Sequence, residues 1–183
     1  GPFAGKFKTI GFDTQLNKIA FTRTYDISMA IQYATLEEDS VRFDKIGISM
    51  FPVIEGYASD LKPSPSFSLF PMAFACSPPI ITSEEEITDI RIYSDKSFNS
   101  AYNPDDNLAE LFNIVVFYES HGYQQYRLED FLALNPMVPD AIFLLPASAP
   151  ETSEPLQFTS EYYQDGIDMD YFEYTTTEIV LTK

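Results

Sequence analysis

The stretch ITDIRIY, at residues 87–93, alternates apolar and polar side chains with a period of two. Such alternation is typical of a β-strand with one face buried and the other in water. Two sets of side chains then face opposite ways: Thr88, Ile90 and Ile92 on one side, Asp89, Arg91 and Tyr93 on the other. This stretch therefore predicts a half-buried strand.

Further runs along the chain show the same alternation or are apolar throughout. They are KIAFTRTY (18–25), ISMAIQYAT (27–35), KIGISMFPVI (45–54), SFSLFPMAFA (66–75), ELFNIVVFYES (110–120), AIFLLPAS (141–148), PLQFTSEYY (155–163) and MDYFEYTTTEIVL (169–181). Pro-, Asn-, Asp- and Gly-rich turns separate them, so about nine short strands are predicted. This pattern indicates an all-β fold, an antiparallel β-sandwich of Ig-like or related type, and residues 1–183 are expected to form a single domain.

Helix signals are short. DNLAELF places Asn107 three residues before Glu110, which resembles a capping box. RLEDFLALNP ends at Asn135 and Pro136, which is a stop signal. One or two short helices are therefore predicted.

Composition excludes some classes of partner. The 183 residues include 11 Lys and Arg against 28 Asp and Glu, which gives a net charge of −17. Such a charge repels nucleic acid and anionic membrane surfaces. We therefore expect no nucleic-acid partner, whereas cations, basic partners and neutral ligands such as glycans remain open.

The chain has one cysteine, Cys76, and one histidine, His121. An intrachain disulfide is therefore excluded, and so is a zinc site built from His and Cys. Cys76 lies in the apolar run FPMAFACSPP, which favours a buried structural thiol over a Cys–His catalytic pair. The uncharged stretch at residues 63–83 contains five prolines, so it does not predict a transmembrane helix. No cofactor is expected.

Three glutamates at residues 84–86 directly precede the strand at ITDIRIY. Successive strand side chains point to opposite faces, so three neighbours do not converge on one cation unless the backbone turns. The pattern favours the start of a strand, with all three carboxylates in water, over an acidic cation site.

The segment YYQDGIDMDYFE has an acidic cluster around Gly166. Its candidate binding residues are four carboxylates: Asp165, Asp168, Asp170 and Glu173. Calcium takes oxygen ligands from such segments, but the order differs from that of an EF-hand, and Asp-Gly is typical of a type I′ hairpin turn. We predict a hairpin turn with Asp168 and Asp170 on one strand face, and no metal site. Calcium here, or at the acidic loop 105–106, is the alternative.

Aromatic residues form the other candidate binding surface. The chain has 12 Tyr and 16 Phe but no Trp. Tyr123 and Tyr126 lie in HGYQQYR, which is predicted to be a loop, and they are candidate binding residues together with an exposed Tyr162 and Tyr163. Tyrosine rings stack on sugars or pack against protein partners. The absence of Trp, a preferred platform for sugars, weakens the glycan hypothesis.

Three segments carry a resemblance to a known family: FSLFPMAFACSPP, EITDIRIYSDKSFNSAYNPDDNLAELF and FTSEYYQDGIDMDYFEYTTTEIVLT. Together they resemble a family of uncharacterised cell-envelope proteins of Bacteroidetes, which are predicted lipoproteins with a β-rich domain of unknown function. The resemblance implies an extracytoplasmic location, periplasmic or on the outer membrane. It also implies a signal peptide and a lipid-bearing cysteine that precede Gly1, which is itself interpreted as the remnant of an expression tag. It implies no catalytic residue.

These observations favour a non-enzymatic binding or structural module, tethered to the cell envelope, with a glycan or another envelope protein as partner. Two alternatives stay open. One is a hydrolase that acts on glycans with paired carboxylates, and the other is a subunit of a surface assembly that binds its neighbour through a sheet face or edge.

Overall fold

The computed structural model of the protein describes residues 6–23, 29–57 and 83–183. Within these residues the chain forms twelve β-strands and one α-helix. They are β1 (Lys6–Arg23), β2 (Met29–Thr35), β3 (Ser40–Arg42), β4 (Ile46–Tyr57), β5 (Glu86–Ser94), β6 (Phe112–Tyr118), β7 (Gly122–Arg127), α1 (Leu128–Leu132), β8 (Ala141–Pro146), β9 (Pro155–Leu156), β10 (Phe158–Asp165), β11 (Tyr171–Thr175) and β12 (Ile179–Thr182). The predicted strand at 66–75 and Cys76 lie outside the described residues.

The predicted all-β class with few helices is confirmed. One sheet has six strands in the order β2-β1-β4-β8-β6-β7, and two smaller sheets have the orders β11-β10-β5 and β3-β12-β9. Among the described strand pairs, β3 with β12 is parallel and the others are antiparallel. The expectation of antiparallel pairing is therefore wrong for this one pair, because alternation along a strand carries no information about the direction of its neighbour.

The six-stranded sheet is curled into a half-barrel. Its edge strands, β2 and β7, come within 8 Å of each other between Cα atoms. In a flat sheet β2 and β8 would lie three strand spacings apart, roughly 14 Å. The ring centroids of Tyr33 on β2 and Phe143 on β8 are instead only 5.6 Å apart. The sheet therefore has a concave face, toward which these rings point, and a convex face.

The main hydrophobic core lies on the convex face, between the half-barrel and the two smaller sheets. Met50 and Leu144 of the half-barrel share one buried cluster with Ile92 and Tyr162 of one small sheet and with Leu181 of the other. Every residue of β8 is buried, because this strand has packed side chains on both of its faces. The convex core thus holds the half-barrel in place and leaves its concave face free of the smaller sheets.

Some local predictions need correction. HGYQQYR is not a loop, because its residues from Gly122 onward form β7 and pair with β6. MDYFEYTTTEIVL is two strands, β11 and β12, in different sheets. In ITDIRIY, Thr88 is exposed and, contrary to the prediction, does not share the buried face of Ile90. Consecutive residues of β10 pair with Asp89 and Ile87, so Thr88 is left unpaired as the extra residue of a β-bulge.

The two segments predicted to be helical form shorter helices than expected. DNLAELF forms a single 3₁₀ turn, Ala109–Leu111, because Phe112 already begins β6. RLEDFLALNP forms α1, and Asn135 beyond it has φ = 49°, the left-handed conformation that ends many helices. In the described part of the chain, no helix has the length and apolar character needed to cross a membrane.

Candidate functional site

The concave face of the half-barrel collects alternate side chains from its strands. The cross-strand register places Gln15, Ser49, Phe143, Val115 and Gln125 in one row across β1, β4, β8, β6 and β7. Residues two positions apart on each strand join the same face. A small second cluster of buried side chains, separate from the convex core, fills the base of this face.

Five aromatic rings contact one another on the concave face: Tyr33, Phe51, Phe117, Tyr123 and Phe143. Phe143 is completely buried, and its ring centroid lies 5.9 Å from that of Phe51 and 6.5 Å from that of Tyr123. Tyr123 also packs against Phe117 at 4.8 Å. Burial, with a smaller contribution from Tyr33, raises the pKa of Tyr123. Tyr33 itself remains 49% exposed, so one ring of the cluster is open to a ligand.

A cavity of about 250 Å³ opens beside Tyr33 and Phe51. Its remaining lining residues are polar side chains of β1 and β4: Asp13, Gln15, Asn17 and Ser49. Asn17 Nδ2 donates a hydrogen bond to Ser49 Oγ, which donates to the backbone oxygen of Gln15 at 3.2 Å. Asn17 and Ser49 are buried, so these hydrogen bonds fix their orientation. We call this cavity and its six lining residues the mouth of the half-barrel.

The mouth combines an aromatic wall with amide and hydroxyl groups. Such a combination binds neutral ligands that have one flat apolar side and several hydroxyls. Among the described lining residues, Asp13 is the single carboxylate, whereas glycoside hydrolysis generally uses two. The groups that line the mouth are therefore suited to binding such a ligand.

The four carboxylates predicted as a binding cluster do not converge. β10 and β11 form the predicted hairpin, but residues 166–170 make a loop in place of a two-residue turn. Asp168 forms an ion pair with Lys8 of β1, and Asp170 accepts a hydrogen bond from the backbone N–H of Gly166 at 3.2 Å. The prediction that Asp168 and Asp170 share a strand face is wrong, because neither lies in a strand.

Asp165 and Glu173 lie at different places again. Asp165 is the exposed last residue of β10, and Glu173 lies in the middle of β11, directly opposite Glu161 of β10. Among the described residues, no group of three or more His, Cys, Asp or Glu side chains is arranged to hold a metal ion. That this segment is a turn and not a calcium site stays a prediction.

Among the described glycines, Gly122 has a positive φ and Gly166 does not, so a left-handed backbone does not explain the glycine at position 166. The reason is the lack of space for a side chain. A Cβ atom added at Gly166 would lie 2.0 Å from the backbone oxygen of Met169 and 2.7 Å from Gln164 Nε2.

We expect Gly166→Ala to cost about 1–3 kcal/mol of unfolding free energy, because backbone atoms must move to admit the methyl group. Urea denaturation of the variant and the wild type measures this cost. Gly11→Ala is the matched control, since a Cβ at Gly11 meets no atom within 4 Å. Equal midpoints for both variants would contradict the close approach at Gly166.

The three glutamates before β5 differ from one another. Glu84 and Glu86 are exposed, but Glu85 is only 3% exposed, so the prediction of three solvated carboxylates is wrong at this position. Glu85 Oε2 accepts hydrogen bonds from Thr9 N–H at 2.6 Å and from Ser83 Oγ at 2.7 Å. Glu85 Oε1 accepts one from Ile167 N–H at 2.9 Å. Glu85 thus joins β1, the start of β5 and the loop at residues 166–170.

A second cavity, of about 400 Å³, lies beside the turn between β6 and β7 and is lined by residues that include Tyr118, His121 and Met137. Tyr118 Oη donates to the backbone oxygen of Met137 at 2.8 Å. Burial, together with Tyr126 and Asp140, raises the pKa of Tyr118 to about 12. Tyr118 is therefore held as a neutral hydrogen-bond donor and not as a base.

The predicted tyrosines separate into different environments. Tyr123 belongs to the concave face, whereas Tyr126 points the other way, packs on Phe131 at 5.6 Å and donates to Gln124 Oε1. Tyr162 is completely buried in the convex core, so the expectation that it is exposed is wrong. The polar floor of the mouth was missed by sequence reasoning. The available signal was DTQLN at residues 13–17, whose polar side chains recur at every second position of β1.

Comparisons with family models, with curated proteins and with solved structures found no match to this chain. The function is therefore inferred from the geometry of its own residues.

Proposed function

We propose that the protein is a non-enzymatic binding module of the cell envelope, and that the mouth of the half-barrel binds one ring of a neutral glycan. The observation that supports this most directly is the half-exposed ring of Tyr33 beside a buried, hydrogen-bonded polar floor. The envelope location and the lipid tether rest on the family resemblance alone.

The size of the mouth fits this ligand class. A cavity of about 250 Å³ is smaller than the pockets that enclose whole drug-sized molecules, which begin at roughly 300 Å³. It accommodates one sugar ring, with the remainder of a chain running out over the exposed edge of Tyr33. The apolar face of the ring would pack on Tyr33, and its hydroxyls would reach the exposed Gln15 and Asp13 at the rim.

Binding to a glycan array, followed by calorimetry with the best ligand, tests the proposal. Tyr33→Ala is expected to weaken binding about fivefold, because stacking and ring burial contribute of order 1 kcal/mol and 1.4 kcal/mol corresponds to a factor of ten. Gln15→Ala, at an exposed position, is expected to weaken it without loss of folding.

Tyr171→Ala is the matched control, because Tyr171 is similarly exposed at 44% but lies on a different sheet. The proposal fails if no neutral glycan binds, or if Tyr33→Ala and Tyr171→Ala weaken binding equally.

A further inference from the structure

The outer face of the β11-β10-β5 sheet, which points away from the convex core, has an unusual composition. Its side chains come from three adjacent strands and stand in register: Asp89, Arg91, Tyr93, Thr159, Glu161, Tyr163, Tyr171, Glu173 and Thr175. We call these nine residues the tyrosine–carboxylate face. It is distinct from the mouth of the half-barrel, since it belongs to another sheet.

Two carboxylates on this face are brought together by strand pairing. Glu161 of β10 is directly opposite Glu173 of β11. Like charges in such cross-strand pairs are destabilising, because neighbouring Cβ atoms lie only about 5 Å apart. Tyrosine hydroxyls moderate the repulsion by donating hydrogen bonds: Tyr163 Oη to Glu161 at 2.8 Å and Tyr171 Oη to Glu173 at 2.6 Å. These donors are neutral, so the negative charge of the pair is not compensated by them.

Arg91, the one basic residue of the face, shows how a guanidinium group can bind to its tyrosine rings and carboxylates. The guanidinium of Arg91 lies over the ring of Tyr163, 5.1 Å from the centroid, and its Nε contacts Asp89 at 2.8 Å. This arrangement joins a cation–π contact to an ion pair with a carboxylate. Tyr171, whose ring centroid is 5.1 Å from that of Tyr163, donates its hydroxyl to Glu173 and is 44% exposed.

We propose that the tyrosine–carboxylate face binds an extended, arginine-rich segment of a partner protein. One guanidinium would stack on Tyr171 and pair with Glu173, as Arg91 does with Tyr163 and Asp89, and a second would reach Glu161 beside Tyr93. Arginine binds beside a ring and a carboxylate better than lysine does, because its planar guanidinium stacks on the ring and donates two hydrogen bonds to the carboxylate. The three carboxylates of the face against one guanidinium, within a chain of net charge −17, provide the complementary charge.

The position of β11 favours an extended segment as the occupant. Among the described strands, β11 is an edge strand of its sheet, and its outward residues Tyr171, Glu173 and Thr175 recur at every second position. An extended partner that runs along this edge presents its own side chains with the same period of two. Arginines at every second position of the partner segment would therefore lie opposite the carboxylates and rings of β11.

The test uses a fluorescent peptide of alternating arginine and serine, with a lysine–serine peptide for comparison, and measures binding by anisotropy at low and at physiological salt. The double variant Glu161→Gln and Glu173→Gln is expected to bind the arginine peptide about tenfold more weakly, as the sum of two exposed ion pairs. Tyr171→Ala is expected to weaken the arginine peptide more than the lysine peptide. The glutamine variants keep acceptors for the tyrosine hydroxyls and remove a repulsion, so they should fold.

The matched control is Glu151→Gln with Glu154→Gln, which removes the same two charges from exposed positions outside the strands. Affinity within about twofold of the wild type is expected for this control at physiological salt, where charges outside the face are largely screened. Tyr33→Ala should leave peptide binding unchanged, which separates this proposal from the one for the mouth. Equal losses in the two double variants, or no binding of the arginine peptide at low salt, would overturn the proposal.

Discussion

Replacing Phe143 with alanine is expected to cost about 3–5 kcal/mol of unfolding free energy, the usual range for truncating a buried phenylalanine. Phe143 is completely buried at the centre of the concave cluster. Its ring contacts Tyr33, Phe51 and Tyr123, which come from three other strands. Because these contacts hold β2 over β8, their loss both leaves a cavity and weakens the curl of the sheet.

Thermal and urea denaturation measure this effect, and the midpoint temperature should fall by roughly 10 °C or more. Phe21→Ala is the matched control, since Phe21 is 42% exposed on β1 and the chemical change is identical. Its cost should stay within about 1 kcal/mol. Similar costs for the two variants would show that the concave cluster does not stabilise the fold. Phe143→Ala should also weaken ligand binding at the mouth, because Tyr33 loses the ring against which it packs.

Replacing Glu85 with glutamine is expected to cost about 2–4 kcal/mol at neutral pH, because three donors point at its two carboxylate oxygens. Glutamine has one oxygen and one NH₂ group in place of two oxygens. Its NH₂ group would face either Ile167 N–H or the donors of Thr9 and Ser83, so a hydrogen-bond donor would face another donor. Thr9 is completely buried, and water does not replace the lost acceptor there. Urea denaturation at pH 7 measures the cost.

The same substitution carries a pH signature. Burial acts to raise the pKa of Glu85, but the hydrogen bonds from Ile167, Ser83 and Thr9 outweigh it and lower the pKa below its usual 4.5. A depressed pKa means that the carboxylate stabilises the fold fully above pH 4.5 and loses this contribution as the pH falls through the folded-state value. The stability difference between the wild type and Glu85→Gln should therefore shrink in acid.

Glu86→Gln serves as the control for both measurements, since Glu86 is an exposed neighbour of Glu85. It should change stability by no more than about 0.5 kcal/mol. A Glu85→Gln variant as stable as Glu86→Gln, or a difference that grows in acid, would contradict the role given to Glu85.

Local features of this fold can be derived from the amino-acid sequence alone. Period-two alternation located strands such as ITDIRIY and its buried Ile90 and Ile92, because the pleat alone sends neighbouring side chains to opposite faces. The hairpin at residues 165–171 followed from the Asp-Gly signal, although the loop is longer than a type I′ turn. The short helix before Asn135 followed from its stop signal.

Which local features meet depends on contacts between residues that are far apart in the chain. Period-two alternation is the same whichever strand lies alongside, so it gave neither the parallel pairing of β3 with β12 nor the bulge at Thr88. Glu85 is buried because donors from β1 and from the loop at residues 166–170, both distant in sequence, converge on it. Tyr33 meets Phe143 because the six-stranded sheet curls, and the curl depends on side-chain packing across strands that no stretch of a single strand encodes.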